Sequence, residues 1–262
     1  TLPVNDPIAR VIGAKDLTQE KSTNLSAGFA AEPTKNLSLT VDHYSITITD
    51  RIVFSENFTG TQVAALLASK GLSGVSGGRY FTNAIDTRTN GLDIVVNYAH
   101  DLGRAGFARL TAGYNQNKTE VTHVVPTPPE LSSQSEALFG RVERGRIEVG
   151  QPKNNFLTSI DWSRKGWNVL LRGQRFGEVI GRGTLANGTL DNTYSPKWIS
   201  DLSVGWRTPW KVKLTVGVDN VFDTYPDQSI AGTDNSGIFP FTGISPFGYN
   251  GRFIYSRLNY TW

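Results

Sequence analysis

Apolar and polar residues alternate with period two along most of this chain, as in strands with one oily and one wet face. Toward the end of the sequence, Ile254, Ser256, Leu258, Tyr260 and Trp262 share one parity, against Phe253, Tyr255, Arg257, Asn259 and Thr261. Trp210, Val212, Leu214, Val216 and Val218 alternate with Lys211, Lys213, Thr215, Gly217 and Asp219. Leu92, Ile94, Val96 and Tyr98 alternate with Gly91, Asp93, Val95 and Asn97, and Ala108, Leu110, Ala112 and Tyr114 with Arg109, Thr111, Gly113 and Asn115. The pattern predicts nine strands, near 22–32, 36–54, 79–100, 104–118, 153–164, 166–178, 196–208, 210–220 and 249–262. In the second, Leu37, Leu39 and Val41 share one parity and Tyr44, Ile46 and Ile48 the other, which predicts a β-bulge near Asp42.

The connections alternate strictly between short and long. Pro33-Thr34-Lys35, Asp101-Leu102-Gly103, Arg164-Lys165-Gly166 and Thr208-Pro209 read as tight turns. Between them, 55–78, 119–152, 179–195 and 221–248 read as long loops rich in Gly, Pro, Asn, Ser and Thr. Short periplasmic turns and long extracellular loops are the habit of outer-membrane barrels. A soluble sandwich has no reason to sort its loops this way.

The tryptophans point the same way. Trp162 and Trp167 flank one tight turn, Trp206 and Trp210 another, and Trp262 lies at the same predicted rim; Trp198 falls near the other. Indole has an apolar body and one N–H donor, so it favours the headgroup level of a membrane. Charge then orients the wall. Lys or Arg facing lipid at mid-bilayer costs about 2–4 kcal/mol. The faces carrying Asp93, Arg109, Asp161, Arg172, Asp201, Lys211, Lys213 and Arg257 are therefore expected to line a wet lumen. The expected fold is an all-β, antiparallel transmembrane β-barrel. Nine strands leave two open edges, which lipid does not tolerate, and bacterial single-chain barrels have an even strand number. Either a tenth strand lies near Thr1–Lys21, or these strands belong to a larger wall.

Composition narrows the chemistry. There is no Cys, hence no disulfide framework and no thiolate site. There is no Met, and no basic stretch followed by an apolar one opens the sequence, so a processed or truncated chain is expected. No apolar run approaches the roughly 18 residues of a spanning helix, which says nothing against a barrel. Net charge is a mild +3, and no Lys/Arg cluster with interleaved aromatics predicts nucleic-acid binding. His43, His100 and His123 are isolated, so no metal site is predicted. No phosphate-binding glycine loop and no acid/base pair or nucleophile set is found, so no catalytic residue and no cofactor is assigned.

Several segments, in order, resemble the C-terminal barrel portion of the TonB-dependent outer-membrane receptor family. Leu17-Thr18-Gln19-Glu20-Lys21-Ser22-Thr23-Asn24, then Gly28-Phe29, is similar to the family's entry strand, with Gln19 where the family favours Pro. The run Asn36 to Ile52 resembles its long hairpin strand, and Thr89-Asn90-Gly91-Leu92-Asp93 a later strand start. Asp219-Asn220-Val221-Phe222-Asp223-Thr224-Tyr225-Pro226 resembles the segment near its end, and Gly251-Arg252-Phe253 through Tyr260-Thr261-Trp262 its closing strand. The resemblance implies that residues 1–262 are the C-terminal part of a barrel of about 22 strands with a plugged lumen. It implies uptake of a scarce nutrient such as an iron–siderophore, cobalamin, haem or glycan, energised through TonB. TonB would be engaged by an N-terminal region absent from these residues. The barrel assembly machinery would read the closing strand with Trp262.

Candidate contacts lie in the loops. Gly60–Gly71 is expected to hold a short helix with Val63, Leu66 and Leu67 on one face, packed on the barrel mouth or acting as a lid. Arg141, Glu143, Arg144, Arg146 and Glu148 are alternating charges. Such a run is usually a solvated face; otherwise Arg141 and Arg144 would hold an anionic ligand or lipopolysaccharide phosphate. Phe239, Phe241 and Phe247, with Pro240 and Pro246, are able to stack on sugars or siderophore rings, or to pack within their loop. Trp162, Trp167, Trp206, Trp210, Tyr260 and Trp262 are the expected membrane-interface girdle, in contact with outer-membrane lipid. Two other readings stand beside the receptor: a complete ten-strand barrel acting as adhesin or surface hydrolase, and a secreted β-sandwich binding module.

Overall fold

The structure is a computed structural model that describes residues 1–131, 138–230 and 238–260. Its wall strands are β1 (Lys21–Thr34), β2 (Leu37–Phe54), β3 (Phe81–Asp101), β4 (Phe107–Val124), β5 (Asn154–Arg164), β6 (Trp167–Phe176), β7 (Lys197–Arg207), β8 (Val212–Asp219) and β9 (Phe253–Tyr260). They form one nine-stranded antiparallel meander in which each strand pairs with its sequence neighbours. The sheet is open, with β1 and β9 as edges. The expectation of a tenth strand before Lys21 is not met, because that stretch carries helix α1 (Pro7–Val11). Asp6 caps α1 by accepting from the Ile8 N–H at 2.8 Å, and Pro7 supplies the preset helical φ.

The register sorts the two faces. One face carries, strand by strand, Leu37, Tyr98, Leu110, Ile160, Leu171, Leu202, Val218 and Ile254. The other carries Asp42, Asp93 and Asn115 in one row, and Ser159, Arg172 and Asp201 in another. All the polar-row residues named above share this second face except Lys211. That residue sits in the turn at φ +61, so the turn is longer than Thr208-Pro209 and β8 begins at Val212. The polar face is knitted together. Asn115 Nδ2 donates to Asp93 at 2.6 Å, Asn168 Nδ2 to Asp161 at 2.7 Å, and Arg172 Nε to Asp201 at 2.7 Å.

No bulge lies at Asp42. Both of its ladders run through it unbroken, Gly28 to Asp42 and Asp42 to Asp93. The register shifts higher up, between Ile48 and Ile52, where Asp50 takes φ +54 and gives its N–H to Asp86 at 2.9 Å. The parity switch has another cause. Above Asp42 the outer face carries His43, Ser45 and Thr47 opposite Leu92, Asn90 and Arg88, with Lys118 and Glu120 beyond them. A regular strand here leaves the oily level, and its large side chains turn inward. Tyr44 is accommodated by Gly91, where a Cβ would come within 2.1 Å of the ring.

The short-turn rim holds the expected aromatics. Trp167 and Trp206 are directly paired, their rings stacked at 5.7 Å. Trp162 donates its indole N–H to Ala105 O at 2.9 Å. Trp210 stands in the turn, 75% exposed, and Tyr260 ends β9 opposite Val212. Trp262 lies outside the described residues. Toward the other end, Trp198 meets Phe156 edge-on at 5.8 Å, with Tyr114 next in register. Eight residues separate Trp198 from Trp206 along β7. At about 3.3 Å each they span about 26 Å of strand, or about 20 Å at a tilt near 40°, close to the roughly 25 Å apolar band of such walls.

The wall has unequal height. β1 to β4 have 14, 18, 21 and 18 residues, whereas β5 to β9 have 11, 10, 11, 8 and 8. The buried core sits at the long-loop end. There α1 and α2 (Thr61–Ser69) pack Ala9, Ile12, Val63 and Leu67 against Phe58 and Tyr80. Tyr80 is fully buried, and its hydroxyl donates to Ile12 O at 2.9 Å. Val63, Leu66 and Leu67 thus face this core as their spacing indicates, and α2 is part of the packing at the mouth.

Candidate functional site

The long-loop end is where side chains converge. Arg141–Glu148 forms helix α3 rather than an open loop. Beside it, Val179–Gly181 pairs with Asn192–Tyr194 as a two-stranded ribbon. Arg141 bridges the two. Its guanidinium donates to both Asp191 carboxylate oxygens at 2.6 Å and to Gly183 O at 2.9 Å. Asp191 also accepts the Gly183 N–H at 2.9 Å. The Arg141 bonds and that N–H hold the Asp191 carboxyl at about 2, below its usual 3.8.

The charge run is not the solvated face that alternation implies. Glu143 is only 8% exposed. Burial raises its pKa, against the pull of Arg146 at 2.8 Å and Arg79 at 3.5 Å. Arg79 in turn lies 4.6 Å over the Phe54 ring. Arg144, more exposed, donates to Glu148 at 3.1 Å, one helical turn on. Glu148 also accepts the Val121 N–H at 3.1 Å and sits 3.8 Å from Arg182. Gly145 makes room for Arg182, since a Cβ there would come within about 3 Å of the arginine stem. Glu56 accepts the Glu143 N–H at 3.4 Å, so Asp191, Arg182, Arg79 and Glu56 are site residues that sequence reading misses. Their partners lie far off in the chain, and no local period marks them.

A cleft of about 320 Å³ opens between α3 and the ribbon, lined by Arg146, Arg182, Ile180, Asn192, Tyr194 and Ile244. Its wall mixes apolar and aromatic side chains with the cationic Arg146 and Arg182. That combination suits an anionic ligand with flat or apolar parts.

The last loop supplies the aromatic half. Phe241 stacks on Tyr225 at 5.6 Å and on Tyr249 at 6.4 Å, and Phe247 packs on Phe176 at 5.5 Å. Phe239 remains 48% exposed. So Arg141 and Phe241 are engaged within the fold, whereas Arg144 and Phe239 face outward. The motif segment near 219–226 has a local reason. Asn220 (φ +52) exchanges two hydrogen bonds with Thr224, at 2.8 and 2.9 Å, turning the chain sharply out of β8. Asp227 clamps the same region. Burial pushes its carboxyl up, but Lys197 at 2.5 Å and the Ser195 hydroxyl and N–H at 2.6 Å hold it down at about 2. Among the described residues, no three His, Asp or Glu side chains gather as a metal site.

Comparison with known proteins bears on the whole wall. The family model described as TonB dependent receptor-like, β-barrel matches residues 3–221. The copper transporter OprC superposes over 94% of this chain and 32% of its own, with 16% identity and a TM-score of 0.57. The outer membrane transporter YddB from Escherichia coli covers 93% and 33%, with 12% identity and a TM-score of 0.57. The FrpB iron transporter from Neisseria meningitidis covers 81% and 28%, with 15% identity and a TM-score of 0.55. The chain thus spans about a third or less of the length of these structures. No curated protein sequence matches.

Proposed function

Because the chain belongs to the TonB-dependent receptor β-barrel family and lies in the outer membrane of a Gram-negative bacterium, we propose that it is the C-terminal wall of an active uptake receptor. The observation that supports this most is the two-faced meander with every tight turn on one rim. Its open edges at β1 and β9 need further strands in lipid, since unpaired backbone there costs several kcal/mol per group. Residues 1–262 then contribute wall, extracellular loops and part of the vestibule to a barrel of about 22 strands. TonB engagement falls to residues outside this chain, and so does the plug. The cargo is a scarce nutrient of the siderophore, cobalamin, haem or glycan kind. It meets the mouth at the α3 cleft, with Arg146 and Arg182 toward its anionic parts and Tyr194 toward its rings, while Arg144 and Phe239 meet it from outside the cleft. Trp162, Trp167, Trp206, Trp210, Tyr260 and Trp262 contact lipid at the interface, and lipopolysaccharide covers the polar outer face above Asp42. The closing strand and Trp262 are read by the barrel assembly machinery.

The test is uptake by the full receptor, expressed in a Gram-negative host with and without TonB. Accumulation of a labelled cargo is expected only with TonB and an energised inner membrane. Uptake that persists without TonB, or a receptor that stays soluble without detergent and shows no heat-modifiable migration, would sink the reading.

A further inference from the structure

The short-turn rim carries charge that strand pairing does not require. Lys35, Arg104, Arg164, Lys165, Arg207 and Lys211 stand in or beside the four turns against two acids, Glu32 and Asp101, a net +4 in a chain whose total is +3. Asp101 is already occupied by the Gly103 N–H at 2.8 Å. Among the described residues, none of these six cations enters an ion pair. At the opposite end Arg79, Arg141, Arg144, Arg146, Arg182 and Lys197 each have a carboxylate within 4 Å.

Two of the rim lysines also sit where lysine is a poor choice. Lys165 has φ +45 and Lys211 φ +61, a region that Gly, Asn or Asp enters at lower cost. The turns keep positive charge against their own conformational preference. Their depth is set as well. Trp162 and the stacked Trp167–Trp206 pair lie one or two residues from these turns, on the oily face. Indoles there mark the headgroup level, so the neighbouring cations stand within the roughly 8 Å over which phosphate charge is felt at physiological salt.

We propose that this rim is a binding surface for anionic glycerophospholipid headgroups of the leaflet it faces. Lys35, Arg104, Arg164, Lys165 and Lys211 meet the phosphate oxygens, the arginines in two-pronged fashion and the lysines as point charges. Arg207 is left out because it points to the polar face, opposite Lys213. Clusters of cations bordering a membrane span select anionic lipid in this way. The proposal rests on the membrane-wall reading, and its test separates the two.

The full receptor is reconstituted in phosphatidylethanolamine bilayers containing brominated phosphatidylglycerol or, at equal content, brominated phosphatidylcholine. Tryptophan quenching is read. At about 50 mM salt, the anionic lipid is expected to be preferred by about threefold or more, and the preference should vanish near 500 mM as charges are screened. A variant carrying Lys35→Gln, Arg104→Gln, Arg164→Gln, Lys165→Asn and Lys211→Asn should be quenched equally by both lipids; Asn suits the left-handed positions, and heat-modifiable migration reports its folding. If that variant fails to fold, Lys165→Asn alone should lower the preference. Equal quenching of the unaltered receptor by the two lipids, a preference indifferent to salt, or one retained in a folded variant overturns the proposal. Quenching by neither lipid overturns the wall reading instead.

Discussion

Asp191→Asn offers the sharpest perturbation of the mouth. The carboxylate takes both prongs of Arg141, and its pKa lies at about 2 instead of 3.8. At about 1.36 kcal/mol per unit, that difference sets an upper limit of about 2.4 kcal/mol. Arg141 and Asp191 keep 23% and 25% of their side-chain surface in water. Screening there reduces the expected contribution to about 1–2 kcal/mol. The folded pKa is depressed, so the contribution is fully present above 3.8 and is lost as pH falls through about 2. Hydrogen exchange of the full receptor in detergent is the assay. At pH 7 the backbone amides of 182–191 should exchange about 5- to 30-fold faster in the variant, as 1–2 kcal/mol of local opening requires, while those of β2 and β3 stay unchanged. The difference should narrow as the pH approaches 2. Unchanged exchange at 182–191, or acceleration spread evenly over the wall strands, would refute the reasoning.

Three further outcomes follow from the wall and its core. Leu214→Arg, on the oily face, should cost about 2–4 kcal/mol and deplete the heat-modifiable, membrane-assembled form, while Thr215→Arg on the polar face leaves it near normal. Gly91→Ala should destabilise by about 1–3 kcal/mol through collision with the Tyr44 ring; the urea midpoint should recover when Tyr44→Ala is added. Tyr80→Phe removes the hydroxyl bonded to Ile12 O, leaving a buried acceptor at a cost of about 1–3 kcal/mol; proteolysis should then accelerate near α1 and α2 with the wall intact.

The wall could be read from sequence because each strand reports its surroundings residue by residue, and because turn length and tryptophan position report the rims. Two readings slipped for physical reasons. The parity switch at Asp42 suggests a bulge, yet a strand that climbs out of lipid inverts its pattern while its ladder stays regular. Alternation puts Lys211 in the polar row, but the turn after β7 takes four residues. The mouth was largely illegible. Arg141 finds Asp191 50 residues on, and Glu143 finds Arg79 64 residues back. Neither pairing leaves a periodic trace, so the alternation in α3 reads as a solvated charge run although Glu143 is buried within it. Only α2, with its own apolar stripe, announced itself. The Asn220 turn was visible as a motif, and its hydrogen bonds with Thr224 now give the reason.

The uneven height of the wall divides the entrance into a stiff flank and an editable one. Along β1 to β4, elevation comes from continuous ladders, so an inserted residue would throw every neighbour out of step. Along β5 to β9, elevation comes from loops pinned by a few ionic clasps, such as Asp227 on Lys197. Residues can be gained or lost there without disturbing a single rung. Sequence change therefore meets little structural resistance on the low side and much on the high one.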